Sequence, residues 1–404
     1  MNKAKVSIVR ASNYDYAEIY AAMEKAIELL GGLAKIVPTG SKVFVKINHL
    51  SPPSPAEKGI VTHPVFVEVV LDLLKKLSAD ITVGDDIQSG TEDGFQVSGF
   101  RQMCQRAGVR LTNLREIGFV ETVCNGHFLE KVYLSKIALD ADVIINLPKL
   151  KTHSLCVFTG GVKNMYGTIP IGLRRKFHAD YIRSDDFSQV LTDIFSAVRP
   201  QLTIMDSIIA MEGEGPAAGS LRRLGVILAS QDTVAVDAVA TKIIGLNPLD
   251  IHTTRYSDER GLGIGKLQNI EVIGERIDGV TVPDFKFPSS AVDTLSRKMP
   301  RVLPRFILRQ LSIKPSVIEH RCSGCSECKK ICPVGAISVN GETAKIDYGI
   351  CIQCMCCHEV CRFNAIVPKR SIAGSTIQFL ANILPNILRK LMAITGRGHR
   401  YGSG

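Results

Sequence analysis

Over the first 283 residues, short β-branched runs alternate with segments whose apolar positions recur at helical spacing. KVSIVR (5–10), KVFVKI (42–47), DITVGDD (80–86), DVIINLPKL (142–150), QLTIMDS (201–207), RLGVILAS (223–230) and IEVIG (270–274) read as strands. Between them, Tyr16–Leu30, HPVFVEVVLDLLKKL (63–77) and Asp232–Ile244 read as helices, with Asp232 as an N-cap. Asn125-Gly126 predicts a hairpin turn. The alternation predicts an α/β domain over 1–283, a layered sheet with helices, whose functional loops lie at the carboxyl ends of the strands.

The pattern breaks after Pro283. Residues 284–317 are interrupted by Pro288, Pro300, Pro304 and Pro315, and Arg297, Lys298, Arg301, Arg305, Arg309 and Lys314 stand against Asp293. We read a basic amphipathic linker. Residues 318–369 hold most of the cysteines and read as a small α+β module. In the tail, 370–404, Ile377, Leu380, Leu384, Ile387, Leu391 and Ile394 recur at near-helical spacing around Pro385, without a single acid. Linker and tail either pack on the protein or lie on an anionic membrane surface.

Composition narrows the class. The chain has 404 residues, 45% hydrophobic and 22% charged, which is ordinary for a globular protein. The net charge of +10 favours anionic partners. No apolar run is long enough to span a membrane, and MNKAKVSIVRASNYDY lacks the apolar core of a signal peptide. A reducing cytoplasm is the expected compartment, with a peripheral membrane contact as the alternative. No aromatic platform or named motif points to nucleic acid.

Nine of the twelve cysteines lie between Cys322 and Cys361. Cys322, Cys325, Cys328 and Cys332 follow the spacing C-x2-C-x2-C-x3-C, then Pro333; Cys351, Cys354, Cys357 and Cys361 repeat it. Iron in such clusters takes soft thiolate ligands, and the fourth cysteine of each motif ligates the other cluster. One 4Fe-4S cluster is thus expected on Cys322, Cys325, Cys328 and Cys361, the second on Cys351, Cys354, Cys357 and Cys332. The repeated spacing argues against the alternative, two four-cysteine zinc sites. These motifs, with PVGAISV and FNAIVP after them, resemble the bacterial two-cluster ferredoxins. Arg362 departs from the proline usual there, and Cys356 is an extra thiol read as a spectator.

The densest polar stretch is NLPKLKTHSLCVFTGGVKNMYGTIPIGLRRKFHAD (146–180). We read it as a loop after a buried strand, in which Gly160-Gly161 allows close backbone approach while Lys149, Lys151 and Lys163 supply charge for an anion. His153, Lys163 and His178 are candidate catalytic residues. Glu212, in MEGEGP, as a base or metal ligand, and Asp237, in DTVAVDAVA, near the site or in a buried pair, are second choices.

The segments NLPKLKTH, TGGVKNMYG, RKFH, MEGEGP and DTVAVDAVA resemble the domain of unknown function family number 362, whose members are often fused to a ferredoxin module. That resemblance implies an iron–sulfur protein and no particular substrate. His153–Lys163 (HSLCVFTGGVK) is also similar to a segment of the nickel-pincer lactate racemases. This similarity implies a covalent cofactor on Lys163, acid/base work by His153 and nickel binding by His178. The chain departs from that family in having Asp85-Asp86 in place of a second catalytic His, and Asn48-His49 near a missing Thr-Arg pair.

The expected function is therefore an oxidoreductase. Two 4Fe-4S clusters exchange electrons with a soluble donor or acceptor protein and with a small anionic substrate or cofactor in the α/β domain. The alternatives are an isomerase or epimerase with a nickel-pincer-like cofactor on Lys163, and a non-catalytic electron-transfer subunit.

Overall fold

The computed structural model describes residues 3–370 apart from 51–53, 88–92, 125, 182, 289–312 and 362. Asn125, Arg362, the tail beyond 370 and most of the linker lie outside the described residues. In chain order the large domain has β1 (Ala4–Arg10), β2 (Lys42–Ile47), β3 (Asp80–Asp85), β4 (Arg110–Asn113), β5 (Phe119–Val123), β6 (Lys131–Ser135), β7 (Val143–Leu147), β8 (Lys149–His153), β9 (Val157–Thr159), β10 (Leu202–Glu212), β11 (Ser220–Ser230) and β12 (Ile270–Gly274).

Ten of these strands form one mixed sheet in the order β12-β1-β11-β10-β7-β2-β3-β4, with β8 beside β10 and β9 beside β8. The run β10-β7-β2-β3-β4 is parallel, and β11 is antiparallel to both its neighbours. β5 and β6 form a separate hairpin, with Val123 opposite Lys131.

The period of two along β2 divides the core. Val43, Val45 and Ile47 pack with Ile19 and Met23 of the helix Tyr16–Glu28 and with Phe66 and Leu74 of the helix Pro64–Lys75. Phe44 joins Phe187, Leu191 and Ile194 of the helix Ser184–Ala197 in another cluster. Lys46, two residues after Phe44, continues that second face at the carboxyl end of the strand. Asp232 caps the helix Thr233–Ile243, accepting from the amides of Val234 and Ala235.

One expectation is corrected. Within the polar stretch 146–180, the part read as loop after residue 150 begins as strand: β8 runs on to His153 and β9 covers Val157–Thr159. The eleven-residue β10 outruns β7, and the extra length is paired by β8, with Asp206 opposite Lys149 and Met211 opposite Lys151. All five residues of β8 are buried, which straight-chain lysines tolerate only when their ammonium groups find partners.

The small module pairs β13 (Ile313–Val317) with β16 (Ile366–Arg370) and β14 (Ile337–Asn340) with β15 (Thr343–Ile346), around the short helices Glu327–Ile331 and Cys356–Glu359. Its first strand begins five residues before the boundary at 318 read from the sequence, because β16 needs an antiparallel partner.

Candidate functional site

The two cysteine motifs fold as a matched pair. Gly324 and Gln353, each just before a second cysteine, have φ of 66° and 61°; Ser326 and Met355, each just after it, have φ of 63° and 62°. These left-handed residues turn the chain so that successive thiols face one side. The chain encloses two small cavities. One is lined by Cys322, Cys325, Cys328 and Cys361, the other by Cys332, Cys351, Cys354 and Cys357. The quartets are crossed, each taking its fourth cysteine from the other motif.

Backbone amides point at the sulfurs. Ala336 N–H donates to Cys332 Sγ at 3.3 Å and Ala365 N–H to Cys361 Sγ at 3.2 Å, at equivalent places in the repeat. Amides of Ala344 and Gln353 reach Cys322 and Cys351 at 3.4 Å. Such donors stabilise thiolate sulfur and tune cluster potential. Burial, reinforced by neighbouring thiols, pushes Cys328 up to about 11 and Cys357 well above its ordinary value. Iron binding must therefore displace protons from both. Four soft ligands around an apolar, amide-lined cavity fit a 4Fe-4S cluster.

The second site lies at the carboxyl ends of β2, β3 and β8. It is a cavity of about 120 Å³ lined by five Lys or Arg and two Asp, with three histidines. His153, Lys163, His178 and Lys151 all line it. The helix Ile171–Asp180 presents Ile171, Arg174, Arg175 and His178, which at spacing i, i+3, i+4, i+7 share one face.

Lys46 and Asp85 form a fully buried ion pair at 2.8 Å in the wall, and Lys46 also donates to Ile47 O at 2.7 Å. Desolvation lowers the Lys46 pKa while Asp85 opposes the shift. A side chain at Gly167 would lie 2.5 Å from Asp85 Oδ1 and 2.7 Å from Lys46 Nζ, so only glycine lets that turn close over the pair. Asp86 holds Arg174 and Arg115 at 2.8 and 2.9 Å and accepts from Ile171 N–H, which ties the basic helix to the end of β3.

A chain of amides orders the centre. Lys151 Nζ donates to Asn48 Oδ1 at 2.7 Å, Asn48 to Asn164 at 3.0 Å, Asn164 to Asn146 at 2.7 Å, and Asn146 to Gly161 O at 3.0 Å. Lys163 Nζ stands 6.0 Å from the Tyr166 ring centroid. His153 Nδ1 accepts from the amides of Leu155 and Cys156 at 3.1 and 3.2 Å, so the neutral ring carries its proton on Nε2. Burial pushes His49 down to about 4, which keeps it neutral near pH 7.

Other candidates lie elsewhere. Lys149 is buried against Asp206 at 2.8 Å and also donates to Tyr14. Gly160 and Gly161 serve an internal anion: the amides of Gly161 and Val162 donate to Asp237 at 2.6 and 3.0 Å. A Cβ on Gly160 would lie 2.2 Å from Asp237 Oδ1, so the glycine makes room for that carboxylate. Burial pushes Asp237 up to about 7 against the pull of the two amides. Glu212 accepts from Lys286 N–H at 3.1 Å. Lys149, Gly160, Gly161, Glu212 and Asp237 are not among the residues lining the basic cavity.

The two sites adjoin. Ile331, Cys356 and Val360 of the cysteine module complete the wall of the basic cavity. Cys356 also lines the cavity of the second quartet, and Val360 that of the first. The thiol read as a spectator therefore lies in the partition between a cluster cavity and the basic one. Sequence reading missed Lys46, Asn164 and Tyr166. A second lysine near the end of KVFVKI, after the apolar run 43–45, was the available signal for the first.

Residues 43–242 match the model of a domain of unknown function, DUF362, and 315–338 match the 4Fe-4S binding domain. A "thylakoid-associated protein" of Synechocystis is 32% identical over 259 residues, 64% of this chain and 79% of that one. A ferredoxin of Alicyclobacillus acidocaldarius is 34% identical over 68 residues, 16% of this chain and 87% of that one. A lactate racemase apoprotein from Thermoanaerobacterium thermosaccharolyticum aligns with a TM-score of 0.40 and 13% identity, over 56% of this chain and 54% of that one. Among the described residues no helix is long and apolar enough to cross a membrane.

Proposed function

For a chain that belongs to the DUF362 family and binds 4Fe-4S iron through a ferredoxin module, we propose an oxidoreductase in which two 4Fe-4S clusters deliver electrons to a small anionic substrate or cofactor in the basic cavity. The carrying observation is the shared wall: Cys356 lines both the second quartet's cavity and the basic cavity. The two crossed cysteine quartets support a count of two clusters. Each cluster supplies one electron, so a pair suits a two-electron reduction.

Lys151, Lys163 and Arg175 would hold the anion. His153, with its proton on Nε2, would donate a hydrogen bond to it. The test is single-turnover reoxidation. Reduced, desalted protein is mixed anaerobically with a panel of small carboxylates and phosphate esters while cluster absorbance is followed. At least one should reoxidise the clusters, and Lys151→Ala with Lys163→Ala should slow this at unchanged iron content. If every panel member leaves the clusters reduced, the proposal fails.

The convergence of Lys163, His153 and His178 on one cavity also supports a second reading, an isomerase with a pincer-type cofactor on Lys163. Those side chains fit such a group, which when bound would supply hydride chemistry. Intact mass of the native chain separates the readings: an unmodified mass removes the second.

Positive charge is concentrated outside the described core. Segments 289–312 and 371–404 carry nine Lys or Arg and one Asp, which is eight of the net ten charges. Together with the thylakoid-associated relative, this supports a peripheral contact with an anionic membrane surface.

A further inference from the structure

The two cysteine quartets differ in their surroundings. In the first, Cys325 is exposed, Cys322 and Cys361 are half-buried, and only Cys328 is buried. In the second, Cys351, Cys354 and Cys357 are buried and Cys332 is half-buried. Ser323 and Phe363, which line the first quartet's cavity, are themselves exposed. Of the three module residues in the wall of the basic cavity, Ile331 adjoins Cys332 and Cys356 adjoins Cys357, both ligands of the second quartet; Val360 adjoins Cys361 of the first.

From this asymmetry we infer a direction of electron flow. Electrons arrive at the cluster of Cys322, Cys325, Cys328 and Cys361, from a one-electron donor protein that docks on the face around Ser323, Cys325 and Phe363. They leave through the cluster of Cys332, Cys351, Cys354 and Cys357 into the basic cavity. In each step the donor is oxidised by one electron and the first cluster is reduced. The first cluster then returns to its oxidised state as the second takes the electron. Two rounds supply the electron pair that the acceptor in the cavity receives. The inference rests on the two-cluster reading above.

The physical basis is twofold. Electron exchange with an external protein requires close approach, and the first quartet offers an exposed cysteine, Cys325, while three cysteines of the second are buried. Cations raise the potential of a nearby cluster, and the wall of five Lys or Arg against two Asp adjoins mainly the second. The two clusters should therefore answer to different perturbations: the first to solutes in bulk water, the second to charge in the cavity.

The experiment is electron paramagnetic resonance on the partially reduced full-length protein, with a dysprosium chelate as an external relaxing agent. Each signal's midpoint potential is titrated in parallel for wild type and for Lys163→Gln/Arg175→Gln. A Cys325→Ser variant identifies the signal of the first cluster. That signal should be the one strongly relaxed by the chelate, with its potential unchanged in the cavity variant. The other should be little relaxed and should shift to lower potential. If one signal shows both responses, or both signals show both equally, the direction is wrong. The chelate arm needs no variant, so a cavity variant that misfolds leaves it decisive. Iron for only one cluster per chain would remove the two-cluster reading and this inference with it. Failure of every anion to reoxidise the clusters would remove only the proposed reaction.

Discussion

Replacing Lys46 by Met removes one half of a buried ion pair at nearly constant volume. Among the described residues, Asp85 is then left with the amides of His49 and Asp86, at 2.9 and 2.8 Å. As a pair the two charges contribute little net stability, because desolvation offsets most of their attraction. Breaking such a pair from one side costs about 3–5 kcal/mol. We expect Lys46→Met to lose at least about 3 kcal/mol at pH 7 and the double change Lys46→Met/Asp85→Leu to cost less than the sum of its parts. The complementary variant Asp85→Asn adds a test of sign. Burial already holds Lys46 below its ordinary 10.5, with Asp85 pulling upward. Without the carboxylate the native pKa falls further, so the folded chain releases a proton that the unfolded chain retains up to 10.5. The stability of Asp85→Asn should therefore rise as pH climbs through the native pKa towards 10.5. Urea unfolding under argon reads this, with far-ultraviolet circular dichroism following the α/β domain and visible absorbance following the clusters. A Lys46→Met loss below about 1 kcal/mol, or an Asp85→Asn penalty equal at pH 7 and about pH 9.5, would refute a buried charged pair.

Gly160→Ala should cost about 1–3 kcal/mol in the same unfolding assay, because its Cβ meets a carboxylate tied to two amides. The backbone there has φ of −134°, open to any residue, so an undiminished stability would mean that Asp237 is not in that place. Cys361→Ser belongs to the second motif by sequence but lines the first quartet's cavity, so it should alter the paramagnetic signal that Cys325→Ser alters and spare the other. Altered signals from different clusters would exclude crossed ligation. The full-length chain should float with vesicles containing phosphatidylglycerol and stay behind with neutral phosphatidylcholine. Equal behaviour with both would end the electrostatic membrane contact.

Much of this was legible from residues alone. The two cysteine motifs carry their own geometry in their spacing, because the ligands of a cluster are close in sequence except for the crossed fourth. The strands of the parallel half were legible from β-branched runs, and His153, Lys163 and His178 stood out by chemistry in a single stretch. What was hidden depends on distant partners. Lys46 reads as a strand residue until Asp85, thirty-nine positions away, arrives beside it in the next strand. Gly160-Gly161 looked like a cradle for an external anion, and the carboxylate that fills it lies seventy-six residues on, at Asp237. Residues 151–153 carried a polar pattern that hid the rest of a strand, since its register depends on how far β10 extends past β7. The meeting of Cys356 with the basic cavity depends on domain packing, which no local pattern encodes.

Two crossed quartets of cysteine, each holding a cluster, are the foundation of the proposed electron path. Iron and acid-labile sulfide counted on anaerobically purified full-length chain test them directly. About eight of each per chain is the expected result. About four of each, or zinc in place of iron, would contradict it.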